Sequence, residues 1–512
     1  MRKIMPPCDF CHSLECLSIG TLHSNQNKKN MKTFTKKIKT IALGLSVLAS
    51  YMATTSEAVA QTGGAIFTPG PTMMKAKIFP TSTLLDNGNV ISFSGREYNF
   101  VSCQYSDLYS TAGNVFTETQ MNYPHDASAT VKLADGRFFL LGGGENLGIA
   151  PGYATTEMYD QGTGTFTPKS NMTMSRMQHA AVQLANGKVL VVGAWYNNPG
   201  AQNGELYDTM TNTFTPTGAL NDPRAQPVVF PTTDGGAIVT GGWPSYGGSV
   251  KTTVEYYSAV NNTFATQSTE LIPADPGWVP MMSFTRLVSD SKMSNGKYLM
   301  MASRNITMPE YAILEFDPAT KLFTKMNTSS PLRDSLTDGG FADFVLNKND
   351  NMAYLIGFDS GYDPQRVCIV TVNLSTGDVF HPTTTYTLPS AEYFYASYTY
   401  IPSNGKILVM GINGGNSSYF TGTNKTYLLT PQMTVGTTNL TRNNIDVTCY
   451  PNPAFDKLYV NLNSLSAGIY TLELNDMLGR TCLREVKQAS SGEHKVESAY
   501  SRLTTWYVCT LC

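Results

Sequence analysis

The chain has 512 residues, of which 41% are hydrophobic and 14% charged, with a formal net charge of −2. A charged fraction so far below the usual value of about 25% comes with no basic stripe to grip a phosphate backbone, which excludes a nucleic-acid partner. The length suits one large domain and a smaller module.

The first sixty residues read as a leader. Met31 is followed by Lys32, Lys36, Lys37 and Lys39, an apolar stretch from Ile41 to Ala53, and Ala58-Val59-Ala60 before Gln61. A basic start, a short apolar middle and small residues at the end describe a secretory signal peptide over 31–60. Its cleavage site is marked by Ala58, Ala60 and Gln61, and the apolar stretch is too short to span a bilayer, so the mature protein has no transmembrane segment. Residues 1–30 do not fit that plan and read as a misassigned start or leader extension. Cys8, Cys11 and Cys16 with His12 have a loosely zinc-like spacing but fall in that piece.

A repeat governs 61–431. Phe67, Phe116, Phe166, Phe214, Phe264, Phe323 and Phe380 each open a short Thr- or Pro-rich segment, at a period of about fifty residues. Each unit carries an apolar run, a tight turn and a second apolar run. The turns are Asn87-Gly88, Asp135-Gly136, Asn186-Gly187, Asp234-Gly235, Asn295-Gly296 and Asn404-Gly405, with Asn349-Asp350 as a degenerate seventh. Such pairs accept positive φ and join antiparallel strands. The second run often ends at glycine, as in Gly142-Gly143-Gly144, Gly193 and Gly241-Gly242, where backbones must approach closely. A third strand ends in Tyr109, Tyr159, Tyr207, Tyr257 or Phe316, always the same distance before the ruler phenylalanine. Aromatics repeated in register belong to the core. One small four-stranded sheet cannot bury both its faces, so the repeat predicts an all-β, seven-bladed β-propeller. Residues 389–431 supply only three strands, and 65–70 supplies the missing outer strand, closing the ring.

These features resemble the Kelch-repeat propellers. The likeness rests on the glycine pair after the second strand, the Tyr-Asp pair ending the third, and Arg176-Met177-Gln178-His179-Ala180-Ala181. It covers about 65–431 and is strongest from 121 to 267, with Ala302-Ser303 replacing the glycine pair in a later unit.

Beyond a polar linker at 432–446, residues 447–512 form a small all-β, sandwich-like module. Tyr450-Pro451-Asn452-Pro453 precedes an alternating strand, and Asp476-Met477-Leu478-Gly479-Arg480 follows a second. The two motifs closely resemble the C-terminal type A sorting domain of Bacteroidetes type IX secretion substrates. The resemblance implies export to the periplasm, outer-membrane passage, and a secreted or outer cell-surface location. It also implies the type IX machinery and its sortase-like peptidase as partners. The final segment, Leu503 to Cys512, departs from the family's Leu-x-x-Gly-x-Tyr ending. Cys103, Cys368, Cys449, Cys482, Cys509 and Cys512 are too scattered for a disulfide scaffold, and their pairing stays open.

With each first strand innermost, the tight turns share one rim of the propeller, and the post-glycine loops share the other with the blade-to-blade connectors. The connector rim holds the irregular sequence and is the expected ligand face. Its candidate ligand-binding residues are Arg96, Glu145, Trp195, Trp243, Arg304 and Asp359 after the second strands, with His179 and Arg224 on connectors. Trp195 and Trp243 fall at nearly equivalent positions on adjacent blades, offering indoles to a sugar or peptide; packing on a neighbouring loop is the alternative. His179 belongs to a repeat pattern, which favours a structural role.

The expected function is protein or glycan binding with no catalytic residue, metal or cofactor. One alternative resembles the Kelch-type sialic acid mutarotases, with a carboxylated sugar held by arginines. The other is a galactose-oxidase-like copper enzyme, which requires two histidines and tyrosines on one metal. Past the leader only His125, His179, His381 and His494 are available.

Overall fold

A computed structural model of the chain describes residues 66–97, 101–144, 152–195, 202–244, 248–281, 287–304, 309–333, 340–359, 366–382, 386–387, 393–413 and 422–431, together with strands beyond 445. The leader, Glu145, and the motif residues Pro451, Asn452, Pro453, Gly479 and Arg480 lie outside the described residues, as do Ala58, Ala60 and Gln61.

The fold is a seven-bladed β-propeller. Blades 1 to 6 occupy 81–120, 129–169, 180–219, 228–268, 279–325 and 340–387, and blade 7 occupies 393–430. Each is an antiparallel sheet in sequential order, and the short strand Tyr386–Thr387 adds a fifth member to blade 6. In the six Gly-containing turns the glycine alone, not the Asn or Asp before it, has positive φ. In blade 3, Gly187 adopts φ 83° and the Asn186 side chain accepts a hydrogen bond from the Lys188 amide at 3.1 Å. The same Asx closure joins Asn87 to Asn89, Asp135 to Arg137, Asn295 to Lys297 and Asn404 to Lys406.

All seven ruler phenylalanines lie on fourth strands. In five blades the ruler residue sits directly opposite the third-strand aromatic: Tyr109 with Phe116, Tyr159 with Phe166, Tyr207 with Phe214, Tyr257 with Phe264, and Phe316 with Phe323. Ring centroids in these pairs are 4.8 to 5.2 Å apart, a separation at which tilted aromatics attract beyond their buried area. The ruler thus records a cross-strand pair.

Blade 7 is completed from the other end of the propeller. Ile66–Pro69 pairs antiparallel with Tyr427–Thr430, Phe67 opposite Leu429, and Phe67 stacks on Tyr386 of blade 6 at 4.1 Å. Thr68 donates to the Leu428 carbonyl and Gly70 to that of Thr426. First strands abut between blades 7 and 1, 2 and 3, 3 and 4, and 6 and 7, and Ser82 of blade 1 bonds Thr399 of blade 7 at 2.7 Å. Further along the chain, Asp446–Tyr450, Lys457–Ser464 and Gly492–Ala499 form one three-stranded sheet. Gly468–Asp476, Thr481–Ala489 and Tyr507–Leu511 form another.

Candidate functional site

The connector rim is built around a basic side chain that recurs in blades 1 to 4. Lys77, His125, Arg176 and Arg224 each sit one short stretch before a first strand, are buried, and reach the backbone carbonyl at the end of their own blade's second strand: Ser94, Gly142, Gly193 and Gly241, at 2.7 to 3.1 Å. That carbonyl residue always has positive φ, between 50° and 78°, which is why glycine holds the place in three of the four blades. Gly142 has a second reason. A Cβ there would fall 2.5 Å from the Arg176 carbonyl oxygen and 3.0 Å from the His179 ring.

Each of these side chains also meets a carboxylate on the third strand, two residues before the repeated tyrosine. Lys77 pairs with Asp107, His125 with Glu157, Arg176 with Glu205 and Arg224 with Glu255. In three of these blades the second carboxylate oxygen accepts backbone N–H groups of the connector: Asn122 to Glu157 at 3.0 Å, Thr173 to Glu205 at 2.6 Å, Asn221 to Glu255 at 2.7 Å. A buried ion needs such full bonding to be tolerated. Burial pushes the arginines down from their usual range while the glutamates pull them up, and the net is downward for both Arg176 and Arg224. For Glu157 burial works upward, but the bonds from His125 and Asn122 outweigh it and hold the carboxyl below its ordinary value.

This arrangement buries three of the expected ligand candidates. Arg224 is fully buried against Glu255, Thr253 and the Gly241 carbonyl. Arg96, 1% exposed, bridges to Asp126 across blades and bonds the backbone of Ile78. His179 is 4% exposed with neither ring nitrogen hydrogen-bonded, and burial, then the charges of Arg176 and His125, push it down to about 3. These three belong to the interior. Arg304 is nearer the surface, bonded to Asp275 and Glu310 and stacked over Trp278 at 4.5 Å. Asp359 ends the strand Met352–Asp359 opposite Arg366.

Trp195 and Trp243 are both half-buried, and each lies two residues past the positive-φ glycine of its blade. Trp243 pairs by a backbone bridge with Ala225 of the connector, and Tyr153 does the same with Arg176, so post-glycine segments and connectors share one rim. Along that rim the connectors are laced together: Gln178 donates to the Ala127 carbonyl and Gln226 to that of Gln178, both at 2.8 Å, and the two glutamine amides bond at 2.9 Å. Ala127, Gln178 and Gln226 all have positive φ. The sequence carried a signal for the buried pairs: a carboxylate recurring two positions before Tyr109, Tyr159, Tyr207 and Tyr257 shares the tyrosine's face in a strand that is otherwise core.

No family model and no curated protein matches the sequence. Among solved structures the chain is similar to a fungal alcohol oxidase of the AA5 family, solved in complex with copper, with a TM-score of 0.53 and 15% identity over 84% of this chain and 90% of that one. At that identity the similarity shows the propeller fold alone.

Proposed function

We propose that the chain is an exported Kelch propeller that binds a protein or a glycan at the cell surface. One observation carries this reading: the buried charges of the connector rim bond to one another, while two half-buried indoles, Trp195 and Trp243, occupy matching positions on neighbouring blades of that rim. Paired aromatics at a partly wet surface suit a sugar face or a peptide side chain. The Gly142-Gly143, Tyr159-Asp160 and Arg176-x-x-His179 signatures support the Kelch assignment. The signal peptide at 31–60 and the Tyr450-Pro451 and Gly479-Arg480 motifs support export by the type IX machinery, whose sortase-like peptidase acts on the tail.

A glycan and protein array tests the binding role. Trp195→Ala and Trp243→Ala each lower the signal for any hit about tenfold, a loss of about 1.4 kcal/mol; full binding by both variants overturns this choice of face.

The copper-bound fungal neighbour favours an oxidase as second reading. Among the described residues His125 and His381 are engaged in other bonds. His125 bonds Gly142 and Glu157, His381 bonds Ser330 just past the outer strand Val379–Phe380, and no cluster of three His, Cys, Asp or Glu occurs among the described residues. Stoichiometric copper in the purified protein would restore that reading. The mutarotase alternative loses Arg96 and Arg224 to buried carboxylate pairs.

A further inference from the structure

Trp195 and Trp243 belong to segments that flank a single peptide unit of the blade 4 connector. The Arg224 carbonyl accepts from the amide of Ala194, beside Trp195, at 3.1 Å, and the Ala225 amide donates to the Trp243 carbonyl at 2.9 Å. In a trans peptide these two groups point in opposite directions, so the tryptophan segments lie on opposite sides of residues 224–225. Two hydrogen-bonded spacings put their backbones about 10 Å apart. Both side chains keep part of their surface open to solvent.

A partly exposed ion pair stands beside Trp243. Lys251, whose amide donates to the Gly242 carbonyl at 2.9 Å, pairs with Asp222 at 3.1 Å, their side chains 29% and 27% exposed. The other Asp222 oxygen accepts from the Thr253 hydroxyl at 2.7 Å. A carboxylate offers about four lone-pair sites and an ammonium three donors, so the pair keeps acceptors and donors side by side after these bonds. Its charges are already matched, as are those of Arg224 and Glu255 beneath it. A hydroxyl group, which both donates and accepts, suits such a pair better than a second ion does. The main-chain groups here are also used: Ala225 and Trp243 exchange both backbone bonds, and Gln226 donates to the Gln178 carbonyl. That leaves a peptide no open strand edge to extend at this point.

We propose that the ligand of this rim is a neutral glycan of at least two sugar rings, stacked on Trp195 and Trp243 with a hydroxyl held between Asp222 and Lys251. This rests on the reading of the two tryptophans as the binding face and narrows it to one class of ligand.

Calorimetric titration of the full chain with cellohexaose, mannohexaose, xylohexaose and maltohexaose tests the proposal, with hexagalacturonate and the chitosan hexamer as charged counterparts. At least one neutral hexamer binds with one site per chain, and both charged hexamers bind at least tenfold more weakly. Trp195→Ala and Trp243→Ala each weaken the neutral hexamer about tenfold, and Asp222→Asn and Lys251→Gln at least fivefold. The last two variants fold, because the pair is partly exposed and Arg224 keeps Glu255. Failure of every neutral hexamer to bind, equal affinity for a charged one, or full affinity in both Asp222→Asn and Lys251→Gln would overturn the neutral glycan. A peptide hit that needs both tryptophans, in a chain that binds no neutral hexamer, would do the same while sparing the choice of face. A hexamer bound at full affinity by both tryptophan variants would overturn that choice as well.

Discussion

Arg176 is held inside blade 3 by two bonds to Glu205 and by the carbonyls of Gly193 and Asn203. Removing one partner of such a pair leaves an uncompensated ion, so Glu205→Ala lowers unfolding free energy by about 3–5 kcal/mol, read by chemical denaturation. The surface pair Lys75–Glu118 is the control: Glu118→Ala changes stability by no more than about 1 kcal/mol. His179 gives a pH signature. Its folded value is depressed to about 3 from an ordinary 6.5, so between those values the unfolded chain takes up a proton that the folded chain refuses. The neutral ring's contribution is complete above 6.5 and is lost as pH falls toward 3. Denaturation at pH 7 and pH 4 shows a smaller pH loss in His179→Leu than in the natural chain; an identical loss would mean that His179 titrates normally.

At the scale of the element, the third-to-fourth-strand turn of blades 1, 3 and 4 is locked by its own aromatic. Tyr109, Tyr207 and Tyr257 donate to Asn114, Asn212 and Asn262 at 2.8 to 2.9 Å, and each asparagine has positive φ. Blade 2 places Gly164 there, leaving the Tyr159 hydroxyl without that acceptor. Tyr207→Phe therefore costs about 1 kcal/mol in stability, and Tyr159→Phe nearly nothing; equal losses in the two would show that the asparagine bond is not what matters. Much of this was legible in the chain, since the ruler phenylalanines and the Asn-Gly turns are local patterns of period two and of turn chemistry. The fate of Arg96, Arg224 and His179 was not. An arginine beside a glycine-rich loop reads as surface until the carboxylate some thirty residues away is known to fold back onto it, and that pairing is a tertiary fact. The blade 5 insert, whose 3-10 turn Val288–Ser291 bonds Thr83 of blade 1 and Lys348 of blade 6, was hidden for the same reason, being visible only as a longer interval between Phe264 and Phe323.

The propeller depends on joining its first and last strands. The four residues Ile66–Pro69 supply the outer strand of blade 7, cover the edge at Tyr427–Thr430 and bring Phe67 onto Tyr386. An uncovered edge of that kind invites pairing with another chain, so deletion of 66–70 gives an aggregation-prone protein by light scattering. The closing strand was legible from one clue, the match of Ile66-Phe67-Thr68-Pro69 to Thr213-Phe214-Thr215-Pro216. Amide hydrogen exchange tests closure most directly. The closed ring predicts slow exchange in both 66–70 and 427–430, and loss of protection at 427–430 when 66–70 is deleted. Protection at 427–430 that persists unchanged in the deletion variant would contradict it.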